Sequence, residues 1–322
     1  MKRIIEHDIP HVYITNGGGM TEETKAKDMT EKFQIDVNSS QVILSHTPMK
    51  NLVEEYKDKR VLIIGSRGYM EVASHYGFKN CVNAHQLHQQ NPGIYPSRNP
   101  HHEHHQHQYE QHNATSTSAS PTPPESTTTS PDSTGTSGID AVLVLHDPLD
   151  WALEMQVLSD VLLGNTNNTP NMVQTIPLYV CNADIVYMDQ YHHPRYTQGA
   201  FVEAFRGLFG HYTKSPLNVD YCGKPYSIQY KTAEEALKKQ SNGIDIYYGI
   251  GDNPKADIRG ANNAGENWVS VLVKTGVHQM DSNDTIDVAD ILTQDIDTAL
   301  DIIIEKHSNC NNHNNKNNNS NI

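Results

Sequence analysis

The chain has 322 residues, room for two domains of ordinary size, yet only 36% of them are hydrophobic and the mean hydropathy is −0.63, so part of it is expected to stay unfolded. A formal net charge of −14, with no basic stripe to offset it, argues against a nucleic-acid partner. No run of about 18 apolar residues is present to span a membrane, and the four cysteines, Cys81, Cys181, Cys222 and Cys310, share no metal-ligand spacing and read as thiols of a reducing compartment.

The first nine residues read as the end of a helix, without the apolar stretch of a signal peptide. Pro10 stops it, and His11–Thr15 has the composition of a short strand. Asn16-Gly17-Gly18-Gly19 makes a turn, and Thr21-Glu22-Glu23-Thr24 opens a helix with capping-type residues. Arg60–Gly65 is a second strand, followed by a helix through Tyr69, Val72 and Tyr76. From His88 to Gly138 the only aliphatic residue larger than Ala is Ile94, and His, Gln, Ser, Thr and Pro dominate. Such a stretch buries too little apolar surface to offset its ordering entropy and is expected to be a disordered insertion. Its histidines, His101, His102, His104, His105 and His107, could bind Zn²⁺ or Cu²⁺ loosely, but tract expansion in a tolerant loop explains them better.

Order resumes with the apolar runs Asp140–Leu145 and Ile176–Val180. Gly199–Phe209 has helical spacing, Ile244–Ile250 and Trp268–Val273 read as strands, and Leu292–Lys306 as an amphipathic helix ahead of a loose Asn-rich tail. Strands alternating with helices predict an α/β fold with a parallel sheet.

Three segments carry polar residues at sharp turns, where open α/β sheets bind ligands. In Ile14–Gly19, glycines would let backbone N–H groups approach an anion, with the Thr15 hydroxyl as a further donor. The alternative is a tight strand-to-helix turn that needs glycine. In Cys222-Gly223-Lys224-Pro225 the lysine is either a phosphate partner or a surface residue of a turn. In Gly251-Asp252 through Asp257, two hard carboxylates follow a strand at a spacing that suits Mg²⁺, or Asp257 caps the next helix.

Taken together, and in this order, these strings resemble the second, third and fourth motifs of the haloacid dehalogenase superfamily. Ile43–Pro48, Asp140–Val144 with Asp147-Pro148 and Asp150-Trp151, Gln198–Phe201 and Leu272–Val277 narrow the resemblance to the cat-eye-syndrome-critical-region branch of class IIA, a eukaryotic group with mitochondrial members. The resemblance implies a Rossmann-like parallel sheet core with an inserted α/β class IIA (C2) cap. The expected division is a core over 1–79 with strands ending at Thr15 and Ile64, a cap over 80–212 containing the insertion at 88–138, a second core part over 213–308, and a disordered tail over 309–322. It implies that Thr15, Asn16, Gly17 and Lys224 bind the transferring phosphoryl group, and that Asp252 and Asp257 hold Mg²⁺. Asn182 and Asp184 would sit on the substrate side of the cap, where a role in capping a turn is the competing reading.

It also implies a phosphatase of small phosphorylated metabolites working through a phospho-aspartyl intermediate, located in mitochondria. The family's opening strand ends in Asp-x-Asp, the nucleophile and the general acid–base. No Asp-x-Asp precedes Thr15 here. The expected sheet order is therefore Trp268–Val273, Tyr247–Gly251, a central position with no strand, His11–Thr15 and Arg60–Ile64. The chain is then either a hydrolase whose nucleophile strand lies outside this sequence or a non-catalytic phosphate-binding relative.

Overall fold

A computed structural model describes residues 2–96, 136, 138–164, 167 and 169–318, with side chains to His307. The strands in chain order are β1 (Tyr13–Ile14), β2 (Val42–Ile43), β3 (Arg60–Ile64), β4 (Asn80–Val82), β5 (Ala141–Val144) and β6 (Leu178–Val180). They are followed by β7 (Val186–Tyr187), β8 (Arg195–Tyr196), β9 (Asp220–Tyr221), β10 (Tyr247–Gly251), β11 (Trp268–Val273) and β12 (Ile291–Thr293). The chain divides into two compact units, Met1–Met49 with Tyr221–Ile322, and Lys50–Asp220.

The first unit holds two separate parallel sheets, β1–β2 and β10–β11–β12. The expected capping residue Thr21 starts the helix Glu22–Phe33, its hydroxyl accepting the Thr24 N–H at 3.3 Å. That helix packs Ala26 and Met29 against Val42 and Leu44. The helix Ser227–Lys238 lays Tyr230, Ala233 and Leu237 against Ile43, Tyr247 and Trp268. There the Trp268 ring stacks on Tyr247 and meets Tyr230 edge-on, both at 5.1 Å between centroids.

A cavity of ≈ 800 Å³ runs along β1 and β10. Val12, Tyr13, Ile14 and Thr15 line it on one flank and Tyr247, Tyr248, Gly249 and Ile250 on the other, with Ile296, Leu300 and Ile303 of the last helix beneath. The expected central position without a strand is therefore present: β1 and β10 belong to different sheets and share a cavity.

The second unit holds a five-stranded sheet in the order β4–β3–β5–β6–β9 and the hairpin β7–β8. Here the sequence reading needs correction. Arg60–Ile64 was expected beside His11–Thr15, but β3 lies between β4 and β5 in this sheet, and the neighbour of β1 is β2. The physical reason is burial. Val61 to Ile64 are 0% exposed, which requires a covered strand on each side, and Ala141–Val144 supplies an equally apolar partner in register. The division of the chain moves with it, from 79/80 to 49/50 at one end and from 212/213 to 220/221 at the other.

Three further differences are local. The start of the expected insertion is ordered: the helix Ala84–Gln90, capped by Asn83, leads into a 3₁₀ turn Pro92–Ile94 with Ile94 buried. The rest of that expectation, 97–135 and 137, lies outside the described residues, and the histidine tract with it. Leu292 begins no helix. Ile291–Thr293 pairs with Val271–Val273, and Asp295 then caps the helix Ile296–Asn318 by accepting the Thr298 N–H at 2.9 Å. That helix runs into the segment read as a loose tail, and 319–322 lie outside the described residues.

Candidate active site

The residues singled out from three distant strings of the first unit converge at the carboxyl ends of β1 and β10. Thr15 directly follows β1, held there by its N–H on the Ile43 carbonyl at 3.0 Å. Its hydroxyl accepts the Gly17 N–H at 3.0 Å, and its carbonyl accepts the buried Gln229 side chain at 3.3 Å. Thr15, Lys224 and Asp257 all line the cavity.

Asn16 acts on Lys224 rather than on open space. Its side-chain amide donates to the Lys224 carbonyl at 3.0 Å, and its Oδ1 accepts the Lys224 N–H at 2.8 Å. Such a two-point amide pairing fixes the backbone of residue 224 and leaves its side chain to be placed by its own partner. That partner is Asp257: Lys224 Nζ donates to Asp257 Oδ1 at 2.5 Å, with both side chains 13% exposed. The second Asp257 oxygen accepts the Asn253 N–H at 3.0 Å. Tyr230 closes the back of this group by donating to the Asp257 carbonyl at 3.0 Å, and burial, with the Asp257 charge beside it, pushes its hydroxyl far above the usual tyrosine range.

Asp252 caps the other side. Its Oδ2 accepts the Val277 N–H at 2.6 Å, and its carbonyl accepts the His278 N–H at 3.0 Å. Oδ1 has no hydrogen-bond donor among the described residues. Two glycines permit this packing. A Cβ on Gly251 would collide with the Asp257 carboxylate, and one on Gly276 with the Asp252 carboxylate. The donor chemistry fits a hard divalent cation of the Mg²⁺ type. Asp252 offers an open carboxylate oxygen, while Asp257, with both oxygens already receiving donors, is placed to orient rather than to ligate.

Asn182 and Asp184 lie in the second unit, after β6. Asn182 is buried and accepts the Asp184 N–H at 2.8 Å, and Thr197 donates to the Asp184 carbonyl. That is the turn-capping arrangement weighed against a substrate role. The sequence reading did not single out Gln229 or Tyr230, whose buried amide and hydroxyl groups hold the Thr15 and Asp257 carbonyls, nor Asn253, whose backbone N–H meets Asp257, and no spacing rule marks these roles. Gly276 stood in the Leu272–Val277 string, but its job, clearance for Asp252, shows only in three dimensions.

Two family models match the ends of the chain, one described as haloacid dehalogenase-like hydrolase over residues 1–79 and one as HAD-hydrolase-like over residues 221–299. A mitochondrial hydrolase of Saccharomyces cerevisiae is 29% identical over 338 aligned residues, covering 96% of this chain and 90% of the relative. A hypothetical protein of Pyrococcus horikoshii superposes with a TM-score of 0.62 at 17% identity, over 94% of this chain and 90% of that one. A glycerol phosphate phosphatase of Mycobacterium tuberculosis, solved in complex with magnesium, superposes with a TM-score of 0.53 at 16% identity, over 89% of this chain and 65% of that one.

Proposed function

This chain belongs to the haloacid dehalogenase-like superfamily, and from that premise we propose that it is a Mg²⁺-dependent phosphohydrolase of the class IIA kind, acting on a small phosphorylated metabolite. The observation that carries the reading is the meeting of Thr15, Lys224 and Asp257 at the cavity, with Asp252 directly after β10, from strings spread over most of the sequence.

In this reading the Lys224 ammonium, fixed through Asn16 and Asp257, balances charge on the phosphoryl oxygens, and the Thr15 hydroxyl and the Gly17 turn hold one of those oxygens. Mg²⁺, when bound through Asp252, supplies further charge neutralisation. In this reading an attacking carboxylate would come from an extended segment placed along β1 and β10, in the manner of one more parallel strand.

The second reading is phosphate binding without turnover. It is favoured by the carboxylates that line the cavity. Asp8 sits at the amino end of β1, Asp28 is paired with Lys25 and Lys32, and Asp257 is tied to Lys224. None of these is free at the Thr15 end.

Hydrolysis of p-nitrophenyl phosphate with Mg²⁺ separates the two. Turnover by a chain extended with an apolar strand ending in Asp-x-Asp, lost in Asp252→Asn, establishes the enzyme. Phosphate binding that is lost in Lys224→Ala, with no turnover by that extended chain, establishes the binding protein. A mitochondrial location is proposed from the relative's name, and subcellular fractionation of the native protein tests it.

A further inference from the structure

The second unit's sheet reverses direction in its middle. From β3 the chain moves outward to β4, then returns to place β5 on the other side of β3 and continues outward to β6. In parallel α/β sheets the two connections that leave such a reversal diverge, and a crevice opens at the carboxyl ends of the two central strands.

Two residues meet there because the register makes them meet. Ile64 pairs with Val144, Leu145 extends the ladder by donating to the Ile64 carbonyl at 2.9 Å, and one residue further on Ser66 Oγ lies 2.7 Å from His146 Nδ1. Gly65, with φ +153°, permits the approach, since a Cβ there would press on the His146 backbone. Ser66 and His146 are half-buried, and the next residue, Arg67, is exposed with no ion-pair partner among the described residues. His146 Nε2 likewise has no partner among the described residues.

The Ser66–His146 pair presents a donor whichever way its proton lies. If Nδ1 accepts from the Ser66 hydroxyl, Nε2 carries the hydrogen. If Nδ1 donates, the Ser66 hydroxyl hydrogen is released. The nearby carboxylates are oriented by backbone donors inside the unit. Asp147 Oδ1 accepts the Gln198 N–H at 2.8 Å, Asp150 caps the helix Trp151–Leu163 through the Leu153 N–H at 3.3 Å, and buried Glu154 accepts the Asp150 N–H at 3.1 Å. The donors of Ser66 and His146, with the Arg67 guanidinium beside them in the chain, suit an acceptor-rich, negatively charged ligand.

We propose that the 50–220 unit carries its own oxyanion site at this reversal, binding the phosphate or carboxylate group of a small metabolite through Ser66, His146 and Arg67. The assignment is independent of the hydrolase reading. The test uses the full chain with labelled histidine and the Lys224→Ala change, so that the first unit's phosphate cradle is removed. The His146 ring signals, identified by their loss in His146→Gln, are followed while inorganic phosphate and succinate are added separately.

Saturable movement with either probe supports the site and says which oxyanion it takes. Ser66→Ala and Arg67→Ala should each weaken that binding by about tenfold, the worth of one hydrogen bond to a charged group. Signals that stay still with both probes, or that saturate equally in both variants, overturn it.

Discussion

The parallel sheets of the two units show what a strand needs on its flanks. In the 50–220 unit β3 and β5 are paired on both sides, and Val61 to Ile64 and Ala141 to Val144 are 0% exposed. In the other unit β1 and β10 are each paired on one side only, and of β10 only Tyr247 is buried. The side chains differ in part, Val, Leu and Ile dominating β3 and β5 against Tyr, Ile and Gly in β1 and β10. The second neighbour differs as well. The lesson is that burial belongs to a strand's position in the sheet, and that the sequence of a strand sets how much it can gain from that position.

Replacing equivalent residues in the two sheets should expose the difference most directly. Leu143→Ala in β5 removes a fully enclosed side chain and should cost about 3 kcal/mol, whereas Ile14→Ala at the cavity wall should cost less than about 1 kcal/mol, because its surroundings are already loosely filled. Urea unfolding followed by a probe in each unit reads both, and equal losses would break the comparison.

The next effect comes from a tightly packed corner beside β10. Gly276→Ala drives a Cβ into the Asp252 carboxylate and should destabilise by about 2 kcal/mol. It should also lower Mg²⁺ affinity, measured by calorimetry. Unchanged affinity would mean that Asp252 does not face the cation.

A third prediction turns on pH in the closed unit. Burial pushes the Glu154 carboxyl up to about 7 from its ordinary 4.5. The folded state thus holds its proton where the unfolded state has lost it. The associated stability is complete below pH 4.5 and is lost as pH rises through about 7. Glu154→Gln, which keeps an acceptor for the Asp150 N–H, should therefore stabilise the protein at pH 8 by about 2 kcal/mol and change little at pH 4. Thermal melts at the two pH values check this, and a gain of the same size at both would remove the cause assigned to it.

The smallest effect returns to the site. Tyr230→Phe removes one hydrogen bond to the Asp257 carbonyl and should cost about 1 kcal/mol in denaturant unfolding.

The sequence marked Thr15 and Asn16 before glycines, Lys224 between Gly223 and Pro225, and Asp252 and Asp257 around a turn, and only their joint resemblance to one family's motifs singled them out as a set; the fold brings Thr15, Lys224 and Asp257 to one cavity. The sequence reading also predicted that β1 and β10 would share no strand. It misplaced β3 because an apolar run such as Val61–Ile64 announces burial on both faces and nothing about which strands provide it. It missed β12 because Ile291-Leu292-Thr293 continues into a helical pattern, and only pairing with β11 divides the two. The Ser66–His146 meeting was illegible for the same reason, since it depends on a register across 80 residues.

The pairing of Asn16 with Lys224 spans 208 residues, and nearly all of the intervening chain is the continuous 50–220 unit. A ribosome therefore delivers that unit whole before the first residue after it is made. Asn16 must wait, with its strand exposed, until residue 224 emerges. Closing so long a loop in an unfolded chain carries an entropic cost that grows with its length, and an intervening unit that has already folded replaces most of that slack with a fixed body. Assembly of the active site is thus timed by synthesis: the last third of the chain completes what the first fifty residues began.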